Sequence, residues 1–147
     1  MIYHTQCLDL SSFSSAPTVP AHAALTRVIQ YLHNNPDLWL ECYEAVSYGQ
    51  DKHEFYSDSS HGLNSPKDSR SQTGSIILLN GAPVYWVSKK QEGTAYSSAL
   101  AEIYALSETV RAARLYAFVC QEMGIHVSMP LCVQVDNKQA ISFQRGT

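Results

Sequence analysis

A chain of 147 residues, 45% of them hydrophobic and 16% charged, can bury one ordinary globular core and is too short for two. Its formal charge of −3 excludes a protein that grips nucleic acid by charge alone, because neutralising phosphates takes clustered Lys and Arg. Any nucleic-acid role must rest on a site, and the local basic groups, Lys89-Lys90 and Lys67 with Arg70, read as solvated surface.

No apolar run approaches the roughly 18 residues of a membrane span, and no basic region followed by an apolar stretch opens the chain. A soluble, intracellular protein without a membrane partner is expected, cytoplasmic or nuclear. Cys7, Cys42, Cys120 and Cys132 are scattered along the chain, which argues against a disulfide framework; Cys120 and Cys132 fall in apolar segments that read as core. His4 with Cys7 is the one close Cys/His pair, so structural zinc is not indicated.

In chain order, Ser11 to Pro20 is dense in Ser and Pro and reads as an extended connector. From Ala21 the pattern becomes helical: Leu25, Val28, Ile29 and Leu32 share one face, and Asn34-Asn35-Pro36 supplies the stop. A strand-like stretch follows around Leu38 to Tyr43, and then a strand from His53 to Asp58, with Phe55 and Ser57 facing one way and Tyr56 and Asp58 the other. Ser59 to Gln72 reads as an exposed loop. Gly74 to Leu79, Asn80-Gly81 and Ala82 to Ser88 predict an antiparallel hairpin closed by a type I′ turn.

Ser97 or Ser98 caps a long helix with a predicted buried stripe of Ala99, Ile103, Leu106, Val110, Ala113, Ala117 and Cys120, ended by Gly124. Leu131 to Asp136 alternates as a strand finishing on an aspartate, and Asn137 to Gln144 begins another helix. This order predicts an α/β fold, a mixed β-sheet with an antiparallel hairpin and covering helices. It divides the chain into a connector with an amphipathic helix, residues 1–50, and an α/β domain, residues 51–147.

Strand ends are where side chains converge on a ligand in open α/β sheets, which singles out Asp58 and Asp136. Glu102, near the start of the long helix and beside its buried stripe, is the third candidate acid. Glu108 and Glu122 fall on the solvent face. Carboxylates gathered in one pocket repel unless a cation neutralises them. Magnesium prefers hard oxygen ligands and shares its shell with water and phosphate oxygens, so three acids can hold two ions about 4 Å apart on a phosphodiester. Taken singly, an Asp at a strand end is equally a turn-former, and a Glu in the first turns of a helix equally answers the helix dipole.

The wording around these acids carries more. Tyr56-Ser57-Asp58-Ser59-Ser60-His61-Gly62 is similar to the first-strand motif of ribonuclease H domains, and Ser69-Arg70-Ser71-Gln72-Thr73-Gly74 resembles an element of copia-type retrotransposon Pol polyproteins. Trp86-Val87-Ser88-Lys89-Lys90-Gln91, then Ser97 through Glu108, then Val135-Asp136-Asn137-Lys138-Gln139-Ala140-Ile141 resemble that family's following blocks in the same order. Upstream, Phe13 to Thr18 and Ala21 to Leu32 look like its link between reverse transcriptase and ribonuclease H.

The resemblance implies a ribonuclease H-like fold that cleaves the RNA strand of an RNA–DNA hybrid by two-metal-ion hydrolysis. Asp58, Glu102 and Asp136 would be its metal ligands, Mg2+ its cofactor with Mn2+ able to substitute, and Ser59 and Asn137 its substrate contacts. Its partners would be the hybrid and the reverse transcriptase part of the same polyprotein.

The sequence departs from the family pattern in places. Leu100 stands where the family often has an earlier Glu, leaving Glu102 as the ligand, and His61 stands near the place of a usual Trp. Ribonuclease H domains also take a fourth acid from a later helix, and nothing after Asp136 can stand in for it, which implies a domain incomplete at its C-terminus. A catalytically inactive remnant serving as a nucleic-acid or protein interaction module therefore stays open. An unrelated α/β enzyme is disfavoured, since the chain has neither a Gly-rich phosphate loop nor a Gly-x-Ser-x-Gly elbow.

Overall fold

The structure, a computed structural model, describes residues 10, 13–14, 16–37, 51–62 and 69–136. The strand-like stretch from Leu38, the helix from Asn137 and the close pair His4 and Cys7 lie outside them. The chain forms two compact units, Met1–Leu40 and Glu41–Thr147.

In the first unit, helix α1 spans Val19–Asn34. It opens two residues earlier than the composition suggests, because Thr18 caps it, its Oγ1 accepting from the Ala21 amide at 3.3 Å, and Pro20 fits the first turn, where no amide donor is needed. Asn35 closes it, its side chain donating to the Tyr31 carbonyl at 2.8 Å. Of the predicted apolar face, Val28 is buried, while Leu25, Ile29 and Leu32 remain exposed.

The second unit is an α/β fold built on a mixed sheet. Strands β1 (His53–Ser60), β2 (Gln72–Leu79) and β3 (Ala82–Lys90) are followed by helix α2 (Ser98–Glu122) and a short strand β4 (Val133–Val135). The sheet order is β3-β2-β1-β4; β1–β2 and β2–β3 are antiparallel and β1–β4 is parallel. The turn between β2 and β3 places both Asn80 and Gly81 at positive φ, 52° and 83°, as a type I′ turn requires. Asn80 also anchors the start of β1: its Oδ1 accepts from the Lys52 amide at 2.8 Å, and its own amide donates to the Lys52 carbonyl at 2.9 Å.

Both β1 and β2 run further than their polar composition suggests. β1 continues two residues past Asp58, because Ser59 and Ser60 keep pairing with Thr73 and Gln72. β3 is an edge strand and so tolerates Pro83, and its ladder slips by one residue between Ile77 and Leu78. β4 is shorter than the predicted strand. Its Cys132 neighbour is exposed, correcting the expectation that it lies in the core, whereas Cys120 is buried.

Helix α2 starts on Ser97, whose Oγ accepts from the Leu100 amide at 3.1 Å. It ends at Gly124, φ 75°, where the Ile125 amide returns to the Cys120 carbonyl at 2.8 Å. It packs across β1 and β2. The apolar centre is Phe55, Ile77 and Ala113, with Tyr116, Leu131 and Val133 against them; burying a side chain such as Phe55 contributes about 2 kcal/mol. Tyr116 meets the Phe55 ring edge-on at 5.9 Å and shares a 2.9 Å hydrogen bond with His53 Nδ1.

The face that α2 buries corrects the predicted stripe in part, since Leu106, Ala113, Ala117 and Cys120 are buried as expected. Ala101, Glu102, Ala105, Leu106, Thr109, Ala113, Ala117 and Cys120 are buried, while Ala99 and Ile103 are only half-buried and Val110 is 41% exposed. Small side chains let the helix axis approach the sheet closely, so the contact follows Ala and Thr rather than the largest hydrophobes. Ala105→Leu should therefore cost about 1–3 kcal/mol by overpacking, while Val110→Ala stays within roughly 0.5 kcal/mol of neutral; urea unfolding of the two variants tests this, and the reverse ranking would restore the predicted stripe.

Candidate metal centre

Each acid singled out in the sequence reaches the site by a different route. Asp58 lies on the central part of the sheet, exposed, alternating with the buried Phe55 and Ser57. Asp136 directly follows β4, whose Val135 pairs with Ser57; the parallel register therefore carries the residue after Val135 level with the residue after Ser57. Glu102 lies within the buried stripe of α2, between Ala101 and Ala105, and is 5% exposed.

The three side chains offer oxygens that all lie within 4.8 Å of one another, a grouping that could hold a metal ion. Burial pushes the Glu102 carboxyl above the usual carboxylate range, hydrogen bonds from the Ser59 side chain and backbone draw it partly back, and the charges of Asp58 and Asp136 push it up again. Its Oε2 is buried without a hydrogen-bond partner. An acid so placed has lost water without full compensation from the protein. A divalent cation with oxygen preference would supply what is missing.

Of the two residues expected to touch substrate, Ser59 lies near enough to Glu102 to draw its pKa down, and Asn137 lies outside the described residues. Glu108, placed on the solvent face from the sequence, is half-buried and accepts from Lys89 at 2.9 Å and Arg111 at 3.0 Å. A cleft of about 500 Å³ runs between the end of β3 and α2, lined among others by Lys89, Gln91, Tyr104 and Arg111. No helix among the described residues is long and apolar enough to cross a membrane.

The chain is 38% identical over 104 residues to secreted RxLR effector protein 161 of Plasmopara viticola, an alignment covering 71% of this chain and 70% of that protein. The chain belongs to one family with that protein. It is also homologous to a segment of retrovirus-related Pol polyproteins of Arabidopsis thaliana: 32% identical over 130 residues to that of transposon RE2 and 28% over 138 residues to that of transposon RE1. Each of these alignments takes in 87% of this chain but only 8% of the polyprotein. No family model and no solved structure matches the chain.

Sequence reasoning missed a set of buried polar groups where β2 and the end of β3 meet the start of α2. Gln91, Thr73 and Ser71 are all buried, and Gln91 reaches both Thr73 and the Ala101 carbonyl. Gln91 does close one of the recurrent blocks, but nothing in the pattern marks a neutral amide as part of an acidic site.

A raised Glu102 pKa means that the protonated form favours folding. That contribution is complete below the ordinary carboxylate pKa and is lost as pH rises through the raised value. Glu54 and Glu108, held below the usual range by hydrogen bonds from Lys52 and Lys89, carry the opposite sign, so the Glu102 effect is read as a difference. Without metal, Glu102→Gln should raise the melting temperature relative to wild type at neutral pH, and the gain should shrink as pH falls through the carboxylate range. Magnesium should stabilise wild type and leave Glu102→Gln nearly unmoved. Thermal melts across pH, with and without magnesium, check this; a gain that does not vary with pH would refute it.

Proposed function

We propose that this chain carries a ribonuclease H-type endonuclease site that cleaves the RNA strand of an RNA–DNA hybrid, using Asp58, Glu102 and Asp136 as ligands for magnesium, with manganese able to replace it. The observation that carries this reading is the buried, unpartnered Glu102 Oε2 in a group of acids whose oxygens lie within 4.8 Å of one another. Homology to a segment of transposon Pol polyproteins supports the same chemistry and makes the reverse transcriptase part of such a polyprotein the natural companion.

When bound, divalent cations would polarise the scissile phosphate and lower the pKa of the attacking water. The residues of the chain hold and orient. Glu102 would contribute a carboxylate oxygen from the buried side, while Asp58 and Asp136 stay exposed enough to admit a phosphate. The hydroxyl of Ser59 and the side chain of Asn137 are proposed to touch the substrate backbone, where 2′-hydroxyls distinguish RNA from DNA.

A second reading, a non-catalytic module that binds nucleic acid or a protein, is favoured by one observation: the relative matched over most of its own length is named as an effector. Cleavage of a labelled RNA–DNA hybrid in magnesium and in manganese separates the two. Wild type should cut the RNA strand, and Asp58→Asn should reduce cutting by more than the roughly 100-fold typical of outer-shell changes. A hybrid that is bound but uncut, with binding unchanged in Asp58→Asn, would overturn the nuclease reading in favour of the module.

A further inference from the structure

Gln91 follows β3 and is 6% exposed. Its backbone amide donates to the Ser71 carbonyl at 2.8 Å. Its Nε2 donates to Thr73 Oγ1 at 3.2 Å and to the Ala101 carbonyl at 2.9 Å. Both side-chain protons are thereby used, one on the sheet and one on α2. Thr73 stands opposite Ser59 in the β1–β2 ladder, and Ala101 is directly followed by Glu102, one of the three acids grouped above. Gln91 thus ties β2, through Thr73, to the first turn of α2, at the residue before Glu102.

Moving this turn of α2 away from β2, and Glu102 with it, breaks the bond from Gln91 to the Ala101 carbonyl. Stability alone does not ask for an amide here. Gln91 Oε1 is buried without a partner, a cost that an apolar side chain of similar volume would avoid. The bonds of its Nε2 give that amide a purpose.

We infer that Gln91 is a positioning residue, which holds the first turns of α2 against β2 so that the Glu102 carboxylate meets Asp58 and Asp136. This rests on the metal-centre reading above.

The test uses the full chain and two near-isosteric variants, Gln91→Met and Thr73→Val, with three readouts: magnesium and manganese affinity by calorimetry, melting temperature without metal, and hydrogen exchange of the Ser59 amide by NMR. Gln91→Met should weaken metal binding about 10- to 100-fold, the range seen when outer-shell support is removed. It should speed Ser59 exchange and leave the metal-free melting temperature unchanged or higher. Thr73→Val should weaken binding less, because the bond to Ala101 survives. A variant that melts earlier but binds metal and protects Ser59 as wild type does would overturn the inference and leave Gln91 a purely structural residue. If wild type itself binds neither metal, the metal-centre reading fails; faster Ser59 exchange in Gln91→Met would still establish the positioning of Glu102, and unchanged exchange would overturn that too.

Discussion

The close seating of α2 on the sheet is the constraint from which the rest follows. Ala101, Ala105, Thr109 and Ala113 are each at most 1% exposed, and residues this small bring the helix backbone near β1 and β2. A glutamate in that contact has nowhere to go but along the sheet surface. Glu102 therefore reaches the acids of β1 and β4 instead of water, and it does so with its charge desolvated and two like charges close by. An arrangement of this kind is unfavourable by itself and becomes favourable when a cation shares the oxygens.

The covered face of the sheet is graded along its length. At one end Phe55, Ile77, Ala113 and Tyr116 form the apolar centre, where removal of surface from water stabilises the fold. Toward the acids the same face turns small and polar, with Ser57, Ser75, Thr73 and Gln91 all buried. Ser57 and Ser75 pair across the ladder with both hydroxyls lacking a hydrogen-bond partner. The apolar end supplies stability, and the polar end is specified by hydrogen bonds that fix where a few atoms sit. Apolar and polar contacts thus occupy opposite ends of one helix.

Much of this was legible residue by residue. The Asn80-Gly81 turn, the Ser97 cap and the Gly124 stop depend on local backbone chemistry, and the alternation of Phe55 and Ser57 against Asp58 depends on the two-residue repeat of a strand. Less legible were Ser59, Ser60, Gln72 and Thr73, whose polarity reads as loop although the ladder continues through them. The buried side of α2 was only partly legible for a related reason: Leu106, Ala113, Ala117 and Cys120 are buried as expected, but ranking by hydrophobicity also favours Val110 and Ile103, while the sheet selects the side chains short enough to permit contact. Cys132 reads as core in an alternating segment, yet it is exposed just before the short strand β4.

The sequence alone determined the described elements and their order and named three candidate acids, because turns, caps and periodicity are properties of neighbouring residues and the acids stand in recognisable wording. Only the tertiary structure decided that the carboxylates of Asp58, Glu102 and Asp136 come within reach of one another, and that Gln91 spans sheet and helix. Those relations join residues far apart in the chain, through strand register and the depth at which a helix settles on a sheet, and no local pattern encodes either distance.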